Sequence, residues 1–307
     1  MQEIRENVPL APLTTFDIGG TARYFVDVRS ETDIREAILW ANERRIRFII
    51  LGGGSNVLVP DEGLDALVIH LVGNLYGVKD GILDAWAGTN LLLAITACAQ
   101  QGFGGWEKLA GIPGSIGGAI RGNAGAFGSE IKDFVLMVRA LHPQTGEVRD
   151  FKNAACDFSY RHSFFKDNPE WIILRTSLQL YNVDPERSKQ LAQETVLERE
   201  RRHLQNVKAA GSFFMNPIAP KQVVEVFETE KGVKSREGRV PAGWLIETAG
   251  MKGATVGGAI ASLQHPNYLV NRGGATAANI LELAAKIKAE VSKRFSITLD
   301  EEAALLR

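Results

Sequence analysis

Glycine is concentrated in one stretch, GIPGSIGGAIRGNAG, where it fills six of the fifteen positions from 111 to 125. Glycine loses more conformational entropy on folding than any other residue, so such a run is unfavourable unless the backbone bends unusually or approaches another group closely. The chain therefore has to fold so that something lies directly against this backbone.

Length and charge narrow the classes of function. The chain has 307 residues, more than one hydrophobic core usually supports, so we expect two or three domains. The 35 Lys and Arg residues nearly balance the 36 Asp and Glu residues, which leaves no basic field for nucleic acid. The first residues lack a basic-then-apolar signal pattern, and no apolar run approaches the roughly 20 residues of a membrane span, so we expect a cytoplasmic protein.

Metal and disulfide sites are not expected. The two cysteines, Cys98 and Cys156, form no CxxC pair, which favours a buried and reduced role for both. The five histidines do not cluster in ligand spacing, and no HExxH motif occurs.

A second glycine-rich turn, LGGGSN at 51–56, ends an apolar run that predicts a strand. The dinucleotide fingerprint GxGxxG fails here because Val57 takes the third glycine position and Pro60 disfavours a following helix. Neither turn supplies the lysine of a GxxxxGK[ST] phosphate loop, and no serine has the glycines of GxSxG. The two turns are left as bare backbone that could hold a pyrophosphate from both sides. Tight strand packing is the alternative.

The first 70 residues predict a small βαβ unit. Strands are expected at 23–28 and 46–54, and the intervening helix begins with a capping-box-like pair, Ser30 and Asp33.

The rest of the chain predicts a mixed α and β protein. Short strands surround one apolar helix that ends near Gly102, and a charged helix at 185–206 is expected to be a surface connector. The C-terminal part contains a long amphipathic helix with one apolar face, formed by Ile280, Leu283, Ala284, Ile287 and Val291.

These features belong to a series of motifs that resembles the UDP-N-acetylenolpyruvoylglucosamine reductase family, the flavoenzymes of bacterial peptidoglycan precursor synthesis. The resemblance runs nearly end to end. Its carriers are TTFDIGGTARYFV (14–26), ILGGGSNVLVPDEG (50–63), WEKLAGIPGSIGGAIRGNAGAFGSEI (106–131), CDFSYRHSFFK (156–166), GSFFMNP (211–217), PAGWLIETAGMKG (241–253) and ITLDEEA (297–303). Each motif is weak alone, but seven in this order are specific.

The resemblance implies an α+β fold of the vanillyl-alcohol oxidase type, in which two subdomains bind FAD and a third domain covers the substrate. It places the first subdomain at 1–70, joined by a returning strand at 296–307, the second at 71–205, and the substrate-binding domain at 206–295. The shorter form of the enzyme and a monomer are expected.

Both glycine loops are implied to wrap FAD. Some oxidases of this fold attach the flavin covalently to a histidine in the first loop, where this chain has Ser55 and Asn56, so we expect non-covalent FAD. The implied FAD contacts are Gly52, Gly53, Gly54, Ser55, Asn56, Gly111, Ile112, Pro113, Gly114, Ser115, Gly117, Gly118, Asn123 and Gly125.

The implied reaction reduces an enol ether with hydride that passes from NADPH to FAD and then to the enolpyruvyl group. Hydride addition leaves a carbanion beside a carboxylate, which requires positive charge and a proton donor. By resemblance, Arg161 stabilises this enolate, Ser212 donates the proton and Glu302 assists, while Tyr160 and Asn216 contact the substrate. Without the motifs, each of these would be interpreted as an ordinary ion-pair, turn, packing or solvated residue.

Three positions depart from the family pattern. Met215 stands where lysine is usual, Gly122 where methionine is common, and His162 changes YRDS to YRHS. Met215 removes a positive charge that could face an anionic substrate. A flavin oxidase of the same fold and a non-catalytic flavin-binding relative remain as alternatives, and the three catalytic positions disfavour both.

Overall fold

The computed structural model describes residues 3–202 and 207–307. Its strands are β1 (Arg5–Pro9), β2 (Thr21–Val28), β3 (Phe48–Leu51), β4 (Val57–Leu58), β5 (Leu64–Leu71), β6 (Tyr76–Lys79), β7 (Ile82–Trp86), β8 (Phe103–Gly104), β9 (Gly125–Ala126), β10 (Ser129–Glu130), β11 (Val135–Leu141), β12 (Val148–Lys152), β13 (Ile172–Gln179), β14 (Tyr181–Asn182), β15 (Thr255–Val256), β16 (Ala259–Ala261), β17 (Leu269–Asn271) and β18 (Ala304–Leu305). Its α-helices are α1 (Glu31–Glu43), α2 (Leu91–Gln100), α3 (Ile116–Arg121), α4 (Phe164–Asp167), α5 (Pro185–Arg201), α6 (Lys221–Lys231), α7 (Ala242–Thr248) and α8 (Ala277–Phe295).

The described chain divides into two compact units. Unit 1 combines residues 3–8, Ala22–Gly54 and Asp65–Arg201, and unit 2 combines Pro9–Thr21, Ser55–Leu64 and the described residues from Arg202 onward. Residues 9–21 and 55–64, expected in the first subdomain, therefore group with the C-terminal part. The three-part functional division stays a prediction.

Unit 1 contains two larger sheets, together with the two-stranded pairs β9 with β10 and β8 with β14. The first has the strand order β1-β2-β5-β3, with β3 and β5 parallel, and the second is antiparallel with the order β12-β11-β13-β7-β6. The helix predicted between β2 and β3 is α1, and its apolar side chains are buried: Ile34, Ala37, Ile38 and Ala41.

The start of α1 differs in detail from a capping box. Ser30 Oγ accepts the amide of Asp33, as predicted, but the Asp33 carboxylate accepts the amide of Arg29 instead of that of Ser30. The reciprocal bond is therefore displaced by one residue.

At the end of α2, Gly102 follows the C-cap Gln101 with φ +79°, the left-handed conformation that glycine adopts without strain.

The charged helix α5 has one face that the connector interpretation missed. Its side chains Ser188, Ala192, Thr195 and Arg199 are buried, and Ser188 donates a hydrogen bond to the buried carboxylate of Glu107. Its charged face is exposed, as expected. Residues 203–206 of the predicted helix lie outside the described residues.

Unit 2 has its own core around α8. The predicted apolar face of that helix is buried, including Ile280, Leu283 and Ile287, all with no exposed area. Strands β15, β16 and β17 form an antiparallel sheet, and β18 pairs in parallel with β4. None of the helices in the described ranges combines the length and the apolar character that crossing a membrane requires.

Asp61 holds the start of α8. Its two carboxylate oxygens accept the amides of Ala277 at 2.7 Å and Ala278 at 3.0 Å. Thr276 caps the same helix through the amide of Asn279. Because the first amides of a helix have no partner within it, these acceptors satisfy groups that would otherwise depend on water.

We expect Asp61→Ala to lower the free energy of unfolding by about 1 kcal/mol, the usual effect of removing such an acceptor. Urea unfolding followed by circular dichroism measures it. Glu62→Ala is the matched control, since Glu62 is a neighbouring exposed carboxylate that accepts no hydrogen bond from the described residues. Equal stability of the two variants would contradict the role given to Asp61.

Candidate functional site

The two glycine-rich loops of unit 1 lie directly against each other. A Cβ atom added to Gly53 would lie 2.7 Å from Cα of Gly114 and 3.1 Å from the amide nitrogen of Ser115. One added to Gly52 would lie 2.7 Å from Oγ of Ser115. Loop packing alone therefore requires glycine at position 53, which is part of what the packing alternative proposed. At position 52 a side chain would only make the Ser115 hydroxyl rotate away from the amide of Gly118.

Further glycines of the second loop have packing reasons of their own. A Cβ atom on Gly117 would lie 2.8 Å from Cβ of Ala87, and one on Gly125 would lie 2.8 Å from Cγ of Glu130. Gly114 has φ +115°, which side chains rarely allow. Ile112 lies between these positions, packs against the core of unit 1 and donates its amide to Leu109.

Backbone amides remain available where the loops meet. Within residues 3–202 and 207–307, the amides of Gly53, Gly54, Gly114 and Ser115 donate no hydrogen bond. Two of these residues, Gly54 and Ser115, are buried. Unpaired buried amides are rare in folded proteins, and several amides converging on one place form a cradle for an anion.

One face of α3 is also bare. Gly118, Arg121 and Gly122 share this face, while Ile116, Gly117, Ala119 and Ile120 are buried. A Cβ atom on Gly118 would make only an ordinary contact, at 3.5 Å from Oγ of Ser115. Neither backbone strain nor packing therefore accounts for Gly118.

Sequence reasoning missed Arg121. Its side chain is accessible to solvent, and its guanidinium forms no ion pair or hydrogen bond with the rest of the described chain. Desolvation by the surrounding protein lowers its pKa. The sequence signal that could have identified Arg121 is a positively charged residue within a glycine-rich motif.

Asn123 connects the glycine loop to the segment that carries Arg161. Its side chain is fully buried and donates to the carbonyl of Ser159 at 2.8 Å and to Oε2 of Glu130 at 3.3 Å, while Oδ1 accepts the amide of Lys132. Asn123 itself has φ +41°. Its side chain therefore holds protein segments together, and only its backbone remains a candidate for the predicted FAD contact.

Arg161 lies in a tight turn. Ser159 and His162 pair across it, and Arg161 has φ +56°. Its guanidinium donates to the carbonyl of Gly125 at 3.0 Å and lies 5.3 Å from the ring centroid of Tyr160. Ser163, just after the turn, donates to the carbonyl of Arg121 at 2.7 Å. Hydrogen bonds thus attach the turn to Arg121, at the end of α3, and to Gly125, at the start of β9.

His162 fastens the same turn from its outer side. Its two ring nitrogens lie 2.8 Å from Oδ2 of Asp167 and 3.2 Å from the carbonyl oxygen of Asp157. Two acceptors favour the imidazolium form, in which both nitrogens donate. The hydrogen bond to Asp167 is the main reason why the pKa of His162 is raised.

Ser212 and Glu302 both belong to unit 2, and Glu302 is hydrogen-bonded to Phe213, the residue after Ser212. The amide of Glu302 donates to the carbonyl of Phe213 at 2.8 Å, and the amide of Met215 donates to the carbonyl of Asp300 at 2.9 Å. The half-buried hydroxyl of Ser212 makes no hydrogen bond with any residue that the structure describes. This hydroxyl is free to donate to a ligand.

The structure separates the two adjacent glutamates. Glu301 forms an ion pair with Lys288 at 2.9 Å, whereas Glu302 is half-buried beside Phe213. Asn56 supports the same segment because its side chain donates to the carbonyl of Glu302 at 3.0 Å. This bond gives Asn56 a structural role in addition to the predicted FAD contact.

The remaining predicted residues also have protein partners. Asn216 Oδ1 accepts the amide of Ala242 at the start of α7, at 2.9 Å, and the carbonyl of Asn216 accepts from Arg239. The carbonyl of Ser55 accepts from Thr15 Oγ1 at 3.4 Å. Pro113 is exposed.

The cysteines are buried and free, as predicted. Burial raises the pKa of Cys98 and of Cys156 to about 12, so both thiols stay protonated at neutral pH. Over the described ranges, no three His, Cys, Asp or Glu side chains come together as metal ligands.

Comparison with known proteins defines the class first. Residues 22–152, which include both glycine-rich loops, match the sequence profile of an FAD-binding domain. The fold and the loops thus define an FAD-dependent oxidoreductase with the predicted α+β fold of the vanillyl-alcohol oxidase type. Residues 202–306 match the profile of the C-terminal domain of UDP-N-acetylenolpyruvoylglucosamine reductase.

Full-length relatives then give the family. The chain is 36% identical to the UDP-N-acetylenolpyruvoylglucosamine reductase of Pseudomonas putida, over 97% of each chain. It is 33% identical to that of Solibacter usitatus, over 97% of this chain and 95% of the relative. The crystal structure of the Thermus caldophilus reductase aligns over the whole of both chains with a TM-score of 0.79 and 31% identity. The chain belongs to the UDP-N-acetylenolpyruvoylglucosamine reductase family.

The residues of unit 1 fit FAD. The amides of Gly53, Gly54, Gly114 and Ser115 suit a pyrophosphate, and the bare face at Gly118 leaves room for a flat ligand beside the backbone. The glycines of the two loops thus have two different physical reasons. Some glycines let the loops touch each other, and at Gly118 the missing side chain leaves exposed backbone that packing does not explain.

Two glycine variants separate these reasons. We expect Gly53→Ala to weaken FAD binding and to destabilise the apoprotein, because its Cβ would collide with the backbone of Gly114. Gly118→Ala should weaken FAD binding at least tenfold while leaving the apoprotein stable. Flavin fluorescence titration and thermal unfolding of the apoprotein measure both effects. The control is Gly77→Ala, where nothing lies within 4 Å of the added Cβ. Unchanged FAD affinity in Gly118→Ala would show that the cofactor does not lie on α3.

We expect His162 to titrate above its ordinary pKa of about 6.5. Since the pKa is raised in the folded protein, the stabilisation of the turn is complete below the ordinary pKa and is lost as pH rises through the raised one. NMR titration of the histidine ring protons checks this. Asp167→Asn should lower the pKa of His162, while that of His265, which burial lowers, should not change. A His162 pKa that Asp167→Asn leaves unaltered would contradict the clamp.

Proposed function

We propose that this chain reduces UDP-N-acetylenolpyruvoylglucosamine to UDP-N-acetylmuramate in peptidoglycan precursor synthesis, with NADPH as the hydride donor. Non-covalently bound FAD supplies the hydride transfer. The observation that carries the proposal is the unbonded hydroxyl of Ser212, one residue from the hydrogen bond that joins Phe213 to Glu302. The full-length similarity to the reductases supports the choice of substrate.

Arg161 binds the carboxylate end of the enolpyruvyl group in this proposal. Hydride addition turns that carboxylate into part of an enolate, and the planar guanidinium fork can donate two parallel hydrogen bonds to its oxygens. One guanidinium nitrogen is held by the carbonyl of Gly125. That bond orients the fork before the substrate arrives, which lowers the cost of ordering it on binding.

Ser212 donates the proton. An alcohol is a very weak acid, but its proton goes to a carbanion, which is a far stronger base, so no lowered pKa is needed. A hydroxyl with no protein partner gives up no internal hydrogen bond when it turns toward the substrate. Glu302 lies on the neighbouring segment, and we assign it to holding the substrate or the donated proton in place.

Several finer assignments belong to the same proposal. Tyr160 and Asn216 contact the substrate, and the shorter form of the enzyme acts as a monomer in the cytoplasm, where NADPH is supplied.

We expect Ser212→Ala to leave reduction of the flavin by NADPH unchanged within about twofold, and to slow reoxidation by the enolpyruvyl nucleotide about 100-fold or more, as loss of a general acid does. Anaerobic stopped-flow absorbance measures both half-reactions. Ser292→Ala, which alters an exposed serine on α8, is the control. Equal loss in both half-reactions would mean that Ser212 only supports the fold. Reoxidation by oxygen but not by the nucleotide, in the unaltered protein, would point to an oxidase.

A further inference from the structure

Asn267 is a buried amide that touches the segment carrying Ser212. It lies in the loop between β16 and β17, and only 2% of its surface is exposed. Its backbone carbonyl accepts the amide of Phe213 at 2.7 Å. Its side chain accepts the amide of Phe214 at 2.9 Å through Oδ1 and donates to the carbonyl of Phe214 at 2.8 Å through Nδ2.

Through these contacts, the side chain of Asn267 bonds the backbone of Phe214 as a neighbouring β-strand would. Phe214 offers one fixed donor and one fixed acceptor, and the planar amide of asparagine matches both at once, as a neighbouring strand would. Phe214 is 1% exposed, so water cannot easily replace these bonds. Asp at this position could accept but not donate, and an apolar residue could do neither.

The opposite edge of the segment meets the C-terminal strand region. The amide of Glu302 donates to Phe213, the amide of Met215 donates to Asp300, and Phe214 pairs with Glu301 across an antiparallel bridge. Residues 213–215 are therefore held from both sides. Ser212 is the first residue beyond this double contact, and Gly211 before it has φ +69° with nothing within 4 Å of a Cβ position. On the N-terminal side the chain is anchored at Lys208, whose carbonyl accepts the amide of Asn271, and by the buried Ala209 and Ala210. Ser212 directly adjoins only the double contact at 213–215, so its position follows that contact most closely.

We propose that Asn267 is a positioning residue for the proton donor: its side-chain amide fixes Phe214, and thereby holds Ser212 in a constant relation to Glu302. The inference rests on the proposed function, because it gives Ser212 the role of donor. A donor must be within hydrogen-bond reach of the carbon that it protonates, so a small displacement is costly. Binding of FAD, reduction by NADPH and binding of the substrate carboxylate do not use this amide.

Asn271 provides a matched control. It is also a buried asparagine of unit 2, with 6% exposure, and its side chain makes four hydrogen bonds, to Phe16, Asp17, Gly273 and Ala275. None of these residues belongs to 211–215 or to 300–302. The backbone amide of Asn271, which donates to the carbonyl of Lys208, is kept in Asn271→Ala. This variant should therefore lower stability as Asn267→Ala does, without displacing Ser212.

The test compares Asn267→Ala, Asn267→Asp and Asn271→Ala as full-length proteins loaded with FAD. For Asn267→Ala we expect substrate-driven flavin reoxidation to slow at least tenfold, with NADPH-driven reduction and the KM for the nucleotide within about twofold. Asn267→Asp keeps the size and one acceptor but sets a second oxygen against the carbonyl of Phe214, so it should slow reoxidation about as much as Asn267→Ala. Asn271→Ala should be unchanged in both half-reactions. Hydrogen exchange should show faster exchange at the amides of Phe214 and Glu302 in the Asn267 variants only.

Other outcomes distinguish the two proposals. If Asn267→Ala and Asn271→Ala slow reoxidation equally at equal loss of thermal stability, Asn267 is structural and the inference is overturned. If Ser212→Ala itself has no effect on reoxidation, the proposed role of the serine fails first. If Asn267→Ala does not fold, Asn267→Asp decides, and normal reoxidation together with faster exchange at Phe214 would overturn the inference.

Discussion

The contact between the two glycine loops of unit 1 determines much of what surrounds it. The backbone of Gly53 can lie beside Gly114 and Ser115 only because no Cβ intervenes. This approach brings the end of β3 to the start of α3 and leaves amides without protein partners. An unsatisfied buried amide costs about 1–3 kcal/mol, so those of Gly54 and Ser115 gain most when an anion or water accepts from them. Ligand binding and stability of this region are therefore linked.

Both units use side-chain amides to hold backbone, and this leaves other side chains for chemistry. Asn123 fixes the segment before Arg161, and Asn267 fixes the segment after Ser212. Asparagine suits this task because it both donates and accepts without carrying a charge that burial would penalise. Arg121 and the Ser212 hydroxyl, by contrast, have no side-chain partner in the described structure. Such side chains remain available to bind a ligand.

Local patterns predicted the elements that depend on near neighbours. The helix α1 begins at its predicted capping residue, and α8 buries the face that its spacing indicated. The buried side of α5 was not foreseen, because its buried positions include Ser188 and Arg199, whose burial depends on distant partners such as Glu107. The same limit applies to the site. The motifs named Arg161, Ser212 and Glu302 by resemblance, but the structural roles of Asn123, Asn216 and Asn267 arise from contacts far apart in sequence, which no local pattern encodes.

The connectivity of unit 2 has a consequence for how the chain matures on the ribosome. Phe16, Ile18 and Leu58 are synthesised early, yet they are buried in a core whose other members come from residue 209 onward. The contact of Asp61 with α8 closes a loop of 216 residues. Unit 1 has its whole core by Ala192, so it can condense first while these apolar side chains wait exposed, open to chaperones. Leu299 and Ala303, which flank the segment with Glu302, belong to the same core, so unit 2 can complete its packing only after that segment has been synthesised.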